Sequence, residues 1–142
     1  MFRLLVAFCL GCVPISAASA QDLTGPISAE VLKIVDGDTI KVRATIWVDQ
    51  TVEVSVRLRG IDAPELYRSK CDAEKRLARA AKASVSATSP VGSIVQLSNI
   101  KRDKYGGRVI ASVSTDDGET LASRLLAQGN AIAYGAPKPW CS

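Results

Sequence analysis

Val52-Glu53-Val54-Ser55-Val56-Arg57-Leu58-Arg59-Gly60-Ile61-Asp62-Ala63-Pro64-Glu65 is the stretch that decides how this chain folds. Apolar Val52, Val54, Val56 and Leu58 alternate with polar Glu53, Ser55, Arg57 and Arg59. That period of two gives a strand one buried and one wet face, with both arginines on the wet side. Gly60 stands where such a strand can kink or bulge. Pro64 fixes its own φ and keeps Ala63 extended, so Asp62 and Glu65 follow the strand on stiff backbone. Strict alternation aims Asp62 away from Arg57, so bringing the two together requires the break at Gly60. With it, two guanidinium groups and two carboxylates meet at one strand end, a chemistry suited to phosphate and metal ions.

Working outward, residues 27–35 read as a first strand ended by Asp36-Gly37-Asp38. Residues 39–48 read as a second, with Ile40, Val42, Ala44, Ile46 and Val48 on one face. Asp49-Gln50 reads as the tight turn into the third strand, residues 51–60. Downstream, a loop over residues 66–71 leads to a helix with Asp72 as N-cap and an apolar stripe of Leu77, Ala81 and Val85. Residues 86–90 stop it. Lys75, Arg79 and Lys82 on its other side read as a solvated face, with nucleic-acid contact as the alternative. Residues 92–100 and 109–114 are a fourth and fifth strand, joined by a basic turn over residues 101–108. A second helix over residues 120–128 buries Leu121, Leu125 and Leu126 and is capped by Gly129, and residues 131–134 form a short extended piece. Three meandering strands, a helix, two strands and a terminal helix give the fold class: α+β, mainly β, a five-stranded OB-fold barrel with two to three helices. Such barrels commonly bind oligonucleotides on one face and its loops.

The two ends of the chain set its compartment. Arg3, an apolar core over residues 4–15 and Ala18-Ser19-Ala20 read as a signal peptide, residues 1–20, leaving one domain over residues 21–142. The apolar run is too short to cross a bilayer, so no membrane span is expected. A lipoprotein reading through Cys12 fits poorly, because Cys9, Leu10 and Gly11 make a weak lipobox. Export to the periplasm or medium exposes the chain to oxidant. Of 4 cysteines, Cys9 and Cys12 leave with the leader, so Cys71 and Cys141 have one pairing open to them. Two free thiols or a bond between chains are the alternatives. A formal net charge of +4 favours a polyanionic partner without specifying one. The chain has 0 histidines, which removes imidazole bases, serine–histidine triads and histidine metal sites. Proton transfer falls to carboxylates, Tyr or Lys, and a bound metal has to be a hard, oxygen-liganded cation.

Three blocks, Asp36-Gly37-Asp38-Thr39-Ile40-Lys41-Val42, the Arg57–Glu65 stretch, and Asp103-Lys104-Tyr105-Gly106, fall in the order found in the thermonuclease (micrococcal or staphylococcal nuclease-like) family, and the chain resembles that family over nearly all of residues 21–142. The resemblance implies Ca²⁺ held by Asp38, Asp62 and the main-chain carbonyl of Ala63, where relatives often carry Thr. It implies Glu65 as general base or orienter of the attacking water, and Arg57 and Arg108 as a clamp on the phosphate in the transition state. Lys104, Tyr105 and Tyr134 match positions that hold a terminal phosphate and stack a base, with ordinary packing as the alternative for the tyrosines. Gly107 is extra relative to the family's Asp-Lys/Arg-Tyr-Gly-Arg block: either it forms a bulge that restores the aim of Arg108, or it leaves that arginine one position astray. Arg59 reads as an exposed strand charge.

The function these features imply is an exported, monomeric, Ca²⁺-dependent nuclease. It would hydrolyse phosphodiester bonds in DNA and RNA; the resemblance further implies a preference for single-stranded or frayed substrate and 3′-phosphate ends. The alternative is a non-catalytic OB-fold module that binds nucleic acid or a protein partner; Ala63 and Gly107 are the departures that favour it.

Overall fold

β1 (Ile27–Ile34), β2 (Thr39–Trp47) and β3 (Gln50–Leu58) form an antiparallel meander in the computed structural model, which describes residues 22–142. The expected signal peptide lies outside the described residues. After β3 come the two-residue β4 (Ile61–Asp62), helix α1 (Asp72–Thr88), β5 (Ile94–Arg102), β6 (Arg108–Ser114), helix α2 (Leu121–Ala127) and β7 (Ile132–Ala133). The five long strands close a barrel in the order β1-β2-β3-β6-β5, with β5 returning to β1 and β3 lying parallel to β6. This is the expected mainly-β OB-type architecture with two helices among the described residues. No described helix is long and apolar enough to cross a membrane.

Period-two alternation explains the interior. Val31, Ile40, Val42, Val56, Leu58 and Val113 fill it with almost no exposed surface. Leu121 and Leu125 of α2 and Val85 of α1 extend the same core. The structure corrects several local expectations. The β2–β3 ribbon runs past the barrel, so Ile46, Val48 and Val52, expected on the buried faces of their strands, are exposed together with Trp47. The turn is Val48-Asp49, one residue earlier than expected, and Asp49 takes the left-handed φ of 57° that Asp tolerates. The N-cap of α1 is Cys71, whose sulfur accepts the Glu74 N–H, and Asp72 is the first helical residue. The buried stripe of α1 is Glu74, Ala78, Ala81 and Val85, while Leu77, one residue off it, is exposed. Leu126 of α2 is exposed as well. β5 keeps Lys101 and Arg102 in the ladder, which shortens the basic turn.

Cys71 and Cys141 are joined by a disulfide across a separation of 70 residues. It holds the C-terminal tail against the N-terminus of α1, where the Cys71 sulfur contacts the Trp140 carbonyl and Trp140 is buried.

Candidate functional site

The break at Gly60 sets the geometry. Its φ of +84° is open to glycine and strained for other residues, and it ends β3 at Leu58 so that β4 can restart at Ile61 beside β7. Asp62 is thereby turned back onto Arg57, the penultimate residue of β3. The Arg57 guanidinium donates to Asp62 Oδ1 at 2.5 Å, lies 3.3 Å from Asp38 Oδ2, and reaches the Ile61 carbonyl at 3.4 Å. Each aspartate is held on its other side too. Asp38 accepts the Thr39 hydroxyl at 3.0 Å and the Ala63 N–H at 3.1 Å, and Asp62 Oδ2 accepts the Gly135 N–H at 3.1 Å. The Arg57, Asp38 and Asp62 side chains are 17%, 15% and 10% exposed, so this charge cluster is mostly withdrawn from water. Burial works against the Arg57 charge, but Asp38 and then Asp62 outweigh it and hold its pKa above the ordinary guanidinium value. The exposed Tyr134 ring stands 5.8 Å from the guanidinium carbon, placed there by the bond from its N–H to the Gly60 carbonyl.

Asp36-Gly37-Asp38 is packed against this cluster more tightly than a plain hairpin turn. A Cβ on Gly37 would lie 2.6 Å from the Ala81 methyl and 2.9 Å from that of Ala63, so only glycine lets α1 and the Ala63 segment close on the turn. Asp36 accepts the Asp38 N–H at 3.0 Å. Its carboxyl is pushed up to about 6, first by burial and then by the negative charge of Asp38, with Glu65 adding a smaller push. Asp36 was visible in the sequence only as the first acid of the turn. The structure makes it a third carboxyl of the cluster and puts the exposed Glu65 within reach of its field. The Glu65 N–H donates to the buried Glu74 carboxylate at 3.1 Å.

A second group lies along the β5–β6 hairpin. Arg108 opens β6 opposite Ser55 and donates through Nε to the buried Asp103, while its guanidinium carbon lies 4.7 Å from the Tyr105 ring centre. Lys104 Nζ covers the same ring at 5.1 Å. Burial opposes ionisation of Asp103, but the Arg108 hydrogen bond and the Lys104 N–H hold its carboxyl below the usual range, with a smaller contribution from Arg57. Gly107 sits in the turn at φ +72°, with its carbonyl bonded to the Ser55 N–H at 3.3 Å, so the extra residue is taken up before β6 starts. Arg108 and Arg57 therefore occupy the outer face of neighbouring strands, two register positions apart. A groove of about 740 Å³ runs beside the hairpin, lined by Lys101, Arg102, Lys104, Tyr105 and Arg108 over an apolar floor of Leu23, Val54, Ile100 and Val109.

Arg57, Asp38, Asp62, Ala63 and Tyr134 thus share one cluster, and Lys104, Tyr105 and Arg108 share the adjoining one. Three oxygen-bearing acids, Asp36, Asp38 and Asp62, beside one guanidinium leave an excess of negative charge and offer donors suited to a hard divalent cation. Their oxygens are spread around Arg57. Among the described residues, Cys71, Glu74 and Cys141 are the only such group whose potential ligand atoms all fall within 4.8 Å of one another, and those sulfurs are committed to the disulfide.

Compared with known protein families, residues 55–141 match the model described as staphylococcal nuclease homologue, more than half of the chain. The matched stretch begins on β3 and ends at the disulfide, and Asp36-Gly37-Asp38 precedes it. No curated protein matches the chain.

Proposed function

The chain belongs to the staphylococcal nuclease homologues, and we propose that it is an exported, Ca²⁺-dependent nuclease that hydrolyses phosphodiester bonds in single-stranded DNA and RNA. The observation that carries this reading is the Arg57 guanidinium set between Asp38 and Asp62, brought from three chain segments to one barrel edge. A lone surface arginine needs no such framework. A group meant to receive a phosphate does, because preorganised donors cost no rearrangement when charge develops.

In this reading Asp38, Asp62 and the Ala63 carbonyl would hold the Ca²⁺, with Asp36 adding negative charge nearby. When bound, the cation supplies a Lewis acid for the phosphoryl oxygen. The chain's own groups do the rest. Glu65 takes the proton of the attacking water, or orients that water, in a protein that has 0 histidines to serve instead. The water oxygen bonds to phosphorus, the bond from phosphorus to the 5′-oxygen breaks, that oxygen takes a proton from solvent, and the products are a 3′-phosphate and a 5′-hydroxyl. Arg57 and Arg108 donate to the equatorial oxygens, where negative charge accumulates. Tyr105 and Tyr134, both exposed, offer faces on which bases stack, worth about 1–3 kcal/mol each and indifferent to sequence. Lys104 adds a phosphate contact. Specificity is weak because clamping and stacking carry little base information. The disulfide supports an oxidising destination, periplasm or medium.

One observation favours a second reading. Arg57 already pairs with both Asp38 and Asp62, and the acidic oxygens are spread rather than drawn into a tight cage, as a non-catalytic nucleic-acid-binding barrel would have them. Incubation of the purified protein with single-stranded DNA, in Ca²⁺ or in chelator, separates the two. Degradation in Ca²⁺ alone supports the nuclease. A gel shift with intact strands in both conditions supports the binder.

A further inference from the structure

Glu74 is a carboxylate that the proposed chemistry leaves without a task, and it is buried to 3% exposure in the first turn of α1. Burying a carboxylate is unfavourable unless its oxygens are satisfied. Here one oxygen accepts the Glu65 N–H at 3.1 Å and the other accepts the Lys70 N–H at 2.7 Å. The loop that carries Glu65 therefore begins and ends on the same side chain. The N-terminal end of a helix favours the negative charge. The disulfide keeps the position closed: the Glu74 N–H bonds to the Cys71 sulfur and the Cys141 sulfur lies 3.8 Å from Glu74 Oε2.

We infer that Glu74 is a positioning residue, which fixes the main chain at Glu65 so that its exposed carboxylate is presented to the substrate at a set distance. Pro64 restrains the chain on one side of Glu65 and Glu74 grips its amide, leaving the side-chain torsions as the main remaining freedom. Both hydrogen bonds need an acceptor. A carboxylate supplies two, whereas the amide of glutamine supplies one and turns a donor toward the other N–H. Glu74→Gln thus releases one end of the loop while keeping shape and burial. Misplacement of a reacting group by about 1 Å costs on the order of 10²-fold in rate, so kcat is expected to fall by about 10- to 100-fold. KM for single-stranded DNA and the Ca²⁺ concentration giving half-maximal rate stay within about twofold, since Arg57, Asp38, Asp62 and the tyrosines are untouched.

This inference rests on the nuclease reading, so the test has two arms. Amide hydrogen exchange at Glu65 and Lys70 reads the grip without any activity: slow exchange at both in the native protein and fast exchange at one or both in Glu74→Gln is expected. The second arm is the split between kcat and KM in Ca²⁺. Exchange unchanged by the substitution overturns the grip. Fast exchange with kcat within twofold of the native value overturns the positioning role, as does a joint rise in KM and in the Ca²⁺ requirement. A native protein that fails to cut sinks the nuclease reading and Glu74's part in it, while the exchange arm still decides whether the loop is held. If Glu74→Gln does not fold, Glu74→Asp, one methylene too short to reach both amides, is read by the same two arms.

Discussion

Replacing Arg57 by alanine tests whether its guanidinium is a stand-in cation for the two aspartates. The side chain makes two charge-assisted contacts, at 2.5 Å to Asp62 and 3.3 Å to Asp38, in a cluster where all three side chains are less than a fifth exposed. Removing one partner of a buried ion pair costs about 3–5 kcal/mol, because the charges left behind are unpaired. Residual solvent at Asp38 and Asp62 places the expected loss at the lower end, about 3 kcal/mol in chelator. For a domain of this size that corresponds to a fall in Tm of about 10 °C. Ca²⁺ should act in the opposite sense on the variant. The two carboxylates no longer have a protein cation to share, so Ca²⁺ meets less competition and should bind at least about tenfold more tightly, a gain of about 1.4 kcal/mol. Urea denaturation in chelator and in Ca²⁺, with calorimetric Ca²⁺ titration of both proteins, measures both effects. Arg57→Lys keeps one charge without the fork and should fall between. A loss below about 1 kcal/mol in chelator, or weaker Ca²⁺ binding by Arg57→Ala, refutes the reasoning.

Asp36 gives a pH signature. Burial and Asp38 raise its folded pKa to about 6, above the ordinary 3.8. The stability it contributes is therefore present below about 4 and lost as pH rises through about 6. Melting in chelator should show a decline across that window that Asp36→Asn removes; an unaltered profile in the variant contradicts the assignment. Replacing both Cys71 and Cys141 by serine opens a loop of 70 residues and should cost about 4 kcal/mol on the chain-entropy model, read by urea denaturation. A loss under about 1 kcal/mol means the tail is held by packing alone. Gly37→Ala drives a methyl to within 2.6 Å of the Ala81 side chain and should destabilise by about 1–3 kcal/mol in the same assay. A neutral result would show that α1 shifts freely.

Much of this was legible in the sequence because it rests on local chemistry. The alternation from Val52 to Leu58 and the break at Gly60 are backbone and hydrophobic facts, and they predicted both the barrel strand and the return of Asp62 toward Arg57. The tertiary consequences were hidden. Nothing in the sequence singles out Glu74; its place shows only once the loop before it, from Glu65 to Lys70, is folded onto its carboxylate. Asp72 is the better N-cap by propensity, yet Cys71, which is held in the disulfide, takes that place. Ile46 and Val48 obey the strand period and are still exposed, because alternation gives a face and not the length of barrel beneath it. Arg108 could be placed beside Tyr105 only once Gly107 was seen to be absorbed in the turn.

Cleavage of an end-labelled single-stranded oligonucleotide in Ca²⁺, by native protein and by Arg57→Ala purified in parallel, is the most direct test. The native protein is expected to cut the strand and leave 3′-phosphate ends, with Arg57→Ala slower by on the order of 10³-fold or more. Intact strands with both proteins, or equal rates from both, would contradict a phosphate clamp built on Arg57.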